Sequence, residues 1–310
     1  MKIVVCPLNW GLGHATRCVS IIRKLVADGH EVVIAADGFP FEFLHQQFPN
    51  LRLIEVSSYA IRYSSGKTQV LAMLWNLPNI LVGIRKEHRW LKKLLKNEHF
   101  DQVISDNRFG LWSKKTHCIY ITHQLMVKMP LTLKILEPLI WLIHRIIILR
   151  YNECWIPDIE GKENFSGDLS HKYPLPRNAK FIGPLSRFHD FENKTIDNSY
   201  ETIAVLSGVE PQRSIFEQEL MRRFQHSGQK MLIVCGQPTA EKRCYHVGDV
   251  TLVSHLHDEE LVPILKGAKK IISRSGYSSI MDLKALNCFA KTELIPIPGQ
   301  TEQEYLKSIH

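Results

Sequence analysis

The sequence lacks any pair of cysteines in C-x-x-C spacing, although it holds seven cysteines at positions 6, 18, 118, 154, 235, 244 and 288. No Cys/His cluster has the spacing of a zinc site. Most of the thiols lie inside apolar runs, which predicts buried free cysteines in a reducing compartment and no disulfide framework. There is no D-x-D motif of the kind that holds a metal beside a diphosphate, no low-complexity tract and no short-period repeat. A leader-like N-terminus is missing too. Lys2 is followed only by the short run Ile3–Cys6 and then by a glycine-rich turn, so a cytoplasmic chain is expected. Charged residues make up 23% and hydrophobic residues 45% of the 310 residues, which excludes wholesale disorder and suffices for one large or two ordinary domains.

Charge is unevenly shared. Net charge is +8, yet residues 1–190 carry 25 Lys+Arg against 16 Asp+Glu, or +9, and residues 191–310 carry 14 against 15, or −1. A basic half suits nucleic acid, an anionic membrane or a phosphorylated substrate. No nucleic-acid motif and no aromatic–basic interleaving is present, so nucleic acid is not an expected partner. The most apolar stretch, Leu131–Leu149, is interrupted by Glu137, Pro138, His144 and Arg145 and makes a poor bilayer span. It is expected as a buried helix of the first domain. The alternative is an interfacial helix, with Leu139, Ile140, Trp141, Ile143, Ile146, Ile147 and Ile148 toward lipid and Lys128, Lys134, Arg145 and Arg150 at headgroups.

Short apolar runs alternate with longer amphipathic ones. Ile3–Pro7, Glu31–Ala36, Leu51–Val56, Gln102–Ser105 and His117–Thr122 read as strands, with helices at His14–Asp28 and Phe39–Phe48. The pattern resumes at Thr202–Ser207, Lys230–Cys235, Thr251–Ser254, Lys270–Ser273 and Glu293–Pro296. The helices of this series are Pro211–Ser227, Glu259–Lys266 and Tyr277–Leu286. Repeated βα units imply α/β architecture with parallel sheets covered by helices. Two series predict two doubly wound, Rossmann-like domains, 1–192 and 193–310, facing across a cleft. Ligands of such sheets bind at the carboxyl ends of the strands.

Four loops at those ends carry chemistry. Gly11-Leu12-Gly13-His14-Ala15-Thr16-Arg17 follows the first strand and opens the first helix. Its glycines permit a tight turn, its free N–H groups suit an anion, and His14 would sit at the cleft mouth as a general base. Asp106, at the end of the fourth strand, could orient that imidazole. Ser207, Gly208 and Arg213 form a second small-residue turn before a helix. Ser275 and Gly276 form a third, with Asp282 about two turns into the next helix, where a carboxylate can take both ribose hydroxyls. Pro296–Glu304 is a polar loop suited to a sugar.

In Ser273–Asp282 and Pro296–Glu304 above all, the chain resembles the GT-B glycosyltransferases, specifically family 28, the family of the peptidoglycan GlcNAc transferases. The resemblance spans both domains and is weaker in the middle of the first. It implies an acceptor-side N-terminal domain and a UDP-sugar site in the C-terminal domain. Ser275 and Gly276 would approach the diphosphate and Asp282 the ribose, where the family usually has Glu. Gln303 and Glu304 would meet the donor sugar, where the family commonly has two glutamines. The Leu256 backbone would read uracil, Arg187 would lie near the phosphates, and the loop of Gly11, Gly13 and Arg17 would face the acceptor. The implied reaction is an inverting, metal-independent displacement without a cofactor, onto a lipid-linked or cell-surface glycan acceptor, with peripheral membrane association. Family chains usually continue into a closing helix that crosses back to the first domain, so the C-terminal domain reads as truncated. The G-x-G-H-x-x-R-C pattern of Gly11–Cys18 also resembles the UDP-sugar hydrolase of pseudaminic acid synthesis. A non-catalytic nucleotide-sugar-binding protein is the third possibility.

Overall fold

The computed structural model describes residues 1–58, 76–191 and 195–310. The first series runs β1 (Lys2–Pro7), α1 (Gly13–Ala27), β2 (Glu31–Ala36), α2 (Gly38–Gln47), β3 (Arg52–Glu55), α3 (Leu77–Asn97), β4 (Gln102–Asp106), β5 (His117–Ile121), α4 (Glu137–Ile148), β6 (Glu153–Ile156), α5 (Asp168–His171) and β7 (Ala179–Phe181). Its strands form one parallel sheet in the order β3-β2-β1-β4-β5-β6-β7. The second series runs β8 (Thr202–Val205), α6 (Gln212–Phe224), β9 (Met231–Val234), β10 (Cys244–Val247), β11 (Val250–Val253), α7 (Asp258–Gly267), β12 (Lys270–Ser273), α8 (Tyr277–Ala285), β13 (Thr292–Leu294) and α9 (Thr301–Ile309). These strands form a six-stranded sheet, β10-β11-β9-β8-β12-β13, parallel except for the β10–β11 pair.

Both central strands are apolar on both faces because helices cover both faces. Along β1, Val4 and Cys6 enter the core with Leu91, Tyr120 and Tyr151, while Ile3 and Val5 enter the opposite core with Val19, Ile22 and Phe43. Along β8, Ile203 packs with Leu261 and Ala204 with Phe216. This is the period of two that a strand imposes. Burial of each such Ile, Leu or Phe contributes roughly 1.5–3 kcal/mol. Six of the seven cysteines are buried and all seven are free; Cys244, on exposed β10, is the exception.

Three departures from the sequence reading have physical causes. Helix α3 went unassigned because its buried stripe of Ile80, Gly83, Glu87 and Leu91 contains a charged residue. Glu87 is buried because Arg108 Nη1 donates to it at 3.1 Å and the Gly110 N–H at 3.0 Å. Strands β6, β7 and β10 have four residues or fewer, too few for a period of two to stand out in the sequence, and β10 is exposed throughout.

The third departure corrects the buried-helix expectation for Leu131–Leu149. Residues Leu131–Leu136 form a 3-10 turn, and α4 buries only Glu137, His144 and Ile148. Leu139, Leu142, Ile143 and Ile146 are each about half exposed, and Leu131 and Ile135 almost fully so. Of the residues assigned to lipid in the alternative, Ile148 packs in the core and Ile140 lines the central cavity. Among the described residues, no helix is long and apolar enough to cross a membrane. The expected domain boundary at 192/193 lies outside the described residues.

The halves meet through α1 and α8. Ser278 Oγ donates to the Gly13 carbonyl at 2.8 Å, and Tyr277 Oη to that of Pro157 at 2.7 Å. Helix α9 also reaches the first half: the Asp168 N–H donates to Tyr305 Oη at 2.7 Å, and Lys128 Nζ lies 4.0 Å from the Tyr305 ring centre.

Candidate active site

A cavity of about 580 Å³ separates the carboxyl ends of the two sheets. The β1–α1 turn enters it from one side. Gly11 has φ +95°, and its Cα face lies against the Gly208 backbone, so a side chain there would meet both strain and the opposite wall. His14 and Arg17 stand one turn apart on α1 and so share a face.

Asp106 ends β4, the neighbour of β1, and is fully buried. Arg17 grips it with a fork: Nε donates to Oδ2 and Nη2 to Oδ1. His14 Nδ1 lies 2.8 Å from the same Oδ1. Burial alone would raise the Asp106 pKa, but Arg17 and then His14 hold it well below the usual carboxylate range. An ionised carboxylate only accepts, so the His14 proton sits on Nδ1 and Nε2 keeps the lone pair. Arg17 Nη2, which donates to Asp106 Oδ1, also stands 2.9 Å from that Nδ1. Burial, with Arg17 adding to it, keeps the His14 pKa below its ordinary 6.5 against the pull of Asp106. The ring is therefore a neutral base at pH 7, oriented by a carboxylate.

On the opposite wall, α8 starts at Gly276 with no side-chain cap, and α1 starts at Leu12 with none. Two uncapped helix N-termini thus open on one cavity, an arrangement that favours an anion between them. Asp282 lines the cavity from α8. Ser186 Oγ donates to its Oδ1 at 2.7 Å and Arg187 Nε stands 3.5 Å from Oδ2. Burial raises its pKa to about 6, only partly offset by Arg187 and Ser186.

The chain is similar to glycosyltransferases in sequence and in fold. Residues 1–128 match the family model described as Glycosyl transferase family 1. A protein of Methanosarcina acetivorans, described as an uncharacterized glycosyltransferase, is 24% identical over 333 residues, 98% of this chain and 80% of its own. The solved spinosyn rhamnosyltransferase SpnG, complexed with thymidine diphosphate, superposes with a TM-score of 0.58 at 12% identity, covering 100% of this chain and 84% of that one. The UDP-GlcNAc 2-epimerase of Neisseria meningitidis, bound to UDP-GlcNAc, gives 0.55 at 12% identity, over 100% and 91%. The fold is GT-B.

Within the GT-B cleft, the expected residues divide into two groups. Gly11, Gly13, His14, Arg17, Arg187, Ser207, Gly208, Leu256, Gly276, Asp282 and Gln303 all line the cavity. Arg187 is held by Asp258 at 2.9 Å and lies over the Phe43 and Phe188 rings, so its charge already has a partner. Asp106, behind His14, and Arg213, Ser275 and Glu304 are not among the lining residues. Arg213 is bound by Glu210 and Glu217, each at 2.6 Å, and braces its own helix. Ser275 Oγ donates to the Gln303 carbonyl, and Glu304 accepts from the Gly299 N–H. Gln303 Oε1 likewise accepts from the Ile297 N–H at 2.9 Å, which shapes the loop. Sequence reasoning passed over His123 and Glu302, which meet at 2.8 Å beside Arg17. Only the adjacency of Glu302 to Gln303 hinted at its position.

Removing Asp106 leaves the Arg17 guanidinium buried without a counter-charge. Asp106→Ala is expected to lose about 3–5 kcal/mol in urea unfolding at pH 7. Because the folded pKa is depressed, that advantage of the native residue is full above about pH 4 and fades as pH falls below it. Asp282 has the opposite sign. Its folded pKa of about 6 means stability is lost as pH rises from about 4 through 6. Asp282→Asn should therefore raise the unfolding midpoint at pH 7 and change nothing at pH 3.5, as thermal scans at the two pH values would show.

Proposed function

We propose that the chain is a glycosyltransferase that moves a sugar from a UDP-sugar to an acceptor hydroxyl by a single inverting displacement, without metal or cofactor. The observation that carries this reading is the oriented base, His14 on Asp106, facing the uncapped start of α8 and the Asp282 carboxylate across one cleft. Asp282 would bind the ribose hydroxyls and the backbone near Leu256 the uracil. The N–H groups at the start of α8 would take the diphosphate and stabilise the charge that grows on it as the glycosidic bond breaks. His14 Nε2 would remove the acceptor proton as the acceptor oxygen attacks the anomeric carbon from the opposite face. The proton ends on the imidazole, whose positive charge Asp106 balances.

The acceptor is proposed to be lipid-linked or a glycan precursor, as in family 28. Ile140 and Ile143 line the cavity, and Ile143 also belongs to the exposed apolar face of α4. Leu77, Leu81 and Val82 of α3 add exposed apolar surface, and Arg85, Lys86, Arg89, Lys92 and Lys93 follow on the same helix, all exposed. An apolar tail leaving the cleft along α4 would meet a membrane surface whose anionic headgroups suit these cations.

Calorimetry with UDP, and with GDP and ADP as controls, tests the donor site. UDP-selective binding is expected, with at least a tenfold loss in Asp282→Ala; no binding by the folded chain would overturn the reading. In turnover of UDP-sugars, His14→Ala should cost about 10²–10⁴-fold. The native rate should rise with pH through a midpoint below 6.5 and stay flat at neutrality. Free sugar released without any acceptor would identify water as the acceptor. For the membrane reading, flotation with phosphatidylglycerol vesicles should capture the chain, phosphatidylcholine vesicles should capture less, and Leu142→Glu with Ile146→Glu should abolish capture.

A further inference from the structure

The polar groups behind His14 do not stop at Asp106. Arg17 Nη1 stands 2.9 Å from His123 Nδ1, and His123 Nε2 stands 2.8 Å from Glu302 Oε1. Arg17 can only donate, so His123 Nδ1 accepts, and its single proton lies on Nε2 and is donated to Glu302. The Tyr277 ring stacks on His123 with centres 4.2 Å apart and planes 7° from parallel. His14, Arg17, Asp106 and His123 come from the first half of the chain; Tyr277 and Glu302 come from the second.

We infer that Glu302 is a positioning residue for the His14 base, seated on His123 and completing the chain Glu302–His123–Arg17–Asp106–His14. The inference rests on the proposed role of His14. Without Glu302, the set contains one cation, Arg17, and one anion, Asp106, and Arg17 opposes protonation of His14. Glu302 adds a second anion that compensates Arg17 across the His123 ring, so the imidazolium formed as His14 takes a proton is better stabilised. The ionisable groups facing this set are Asp106 from β4, Arg17 and Cys18 from α1, His123 after β5, Tyr277 from α8 and Glu302 from α9. Of the carboxylates named, Asp106 comes from the first half and Glu302 from the second. The proton affinity of His14 is thereby tied to a contact made by the second half of the chain.

The experiment is histidine-selective ¹⁵N NMR of the full chain without substrate, with His14 and His123 assigned through His14→Asn and His123→Asn. Glu302→Gln keeps the size and the acceptor oxygen but removes the charge. It should lower the His14 titration midpoint by about 0.3–0.5 pH units, a two- to threefold weaker proton affinity, as one screened charge several ångströms away does. His123 should stay protonated on Nε2, and Glu302→Asp should return part of the shift. An unmoved His14 midpoint in Glu302→Gln, or a native His123 protonated on Nδ1, overturns the inference. Its fate is separable from that of the donor site. UDP binding with an unmoved His14 rejects the coupling alone. A shifted His14 in a chain that binds no UDP upholds the coupling and rejects the donor.

Discussion

The fork between Arg17 and Asp106 is the contact on which the cleft depends. It joins the first turns of α1 to the end of β4 at full burial. Two charges so placed are stable only as a pair, because each alone would carry the whole desolvation cost. Once Arg17 neutralises Asp106 without protonating it, the carboxylate stays available to His14. The same guanidinium then reaches His123, so one buried cation organises both the base and the contact to the second half.

The second half contributes in a different way. Its loops approach the first half through backbone groups and small side chains, as where Ser278 donates to Gly13 and where Gly208 lies against Gly11. Close approach of this kind brings two helix starts onto one cavity, and the electrostatic preference for an anion follows from that placement, since the described cations lining it, Arg17, Lys128 and Arg187, are each paired with a carboxylate. Asp282 sits in this setting at a cost, since burial raises its pKa. A carboxylate kept where it opposes stability is the trade commonly met at binding sites.

Much of the fold was legible because parallel α/β sheets write themselves as apolar runs separated by amphipathic helices. β1 to β5, β8, β9, β11, β12 and β13 lie within two residues of the strands the sequence predicts. The failures share a cause. Where burial is decided by one specific partner, periodicity is silent: Glu87 in α3 looks like a surface residue until Arg108 is beside it. The run Leu131–Leu149 shows the converse, since hydrophobicity alone suggests a core, yet more than half of its residues are exposed.

The candidate site divides along the same line. By itself the sequence determined the glycine turn, the histidine after it, the aspartate at the end of β4 and the small-residue helix starts, because backbone conformation and capping are local properties. Only the tertiary structure decided that Arg213 is consumed by Glu210 and Glu217, that Gln303 serves its own loop, and that His123 and Glu302 meet beside Arg17. Those outcomes depend on distances between residues as much as 179 positions apart in the chain, and no local pattern carries them.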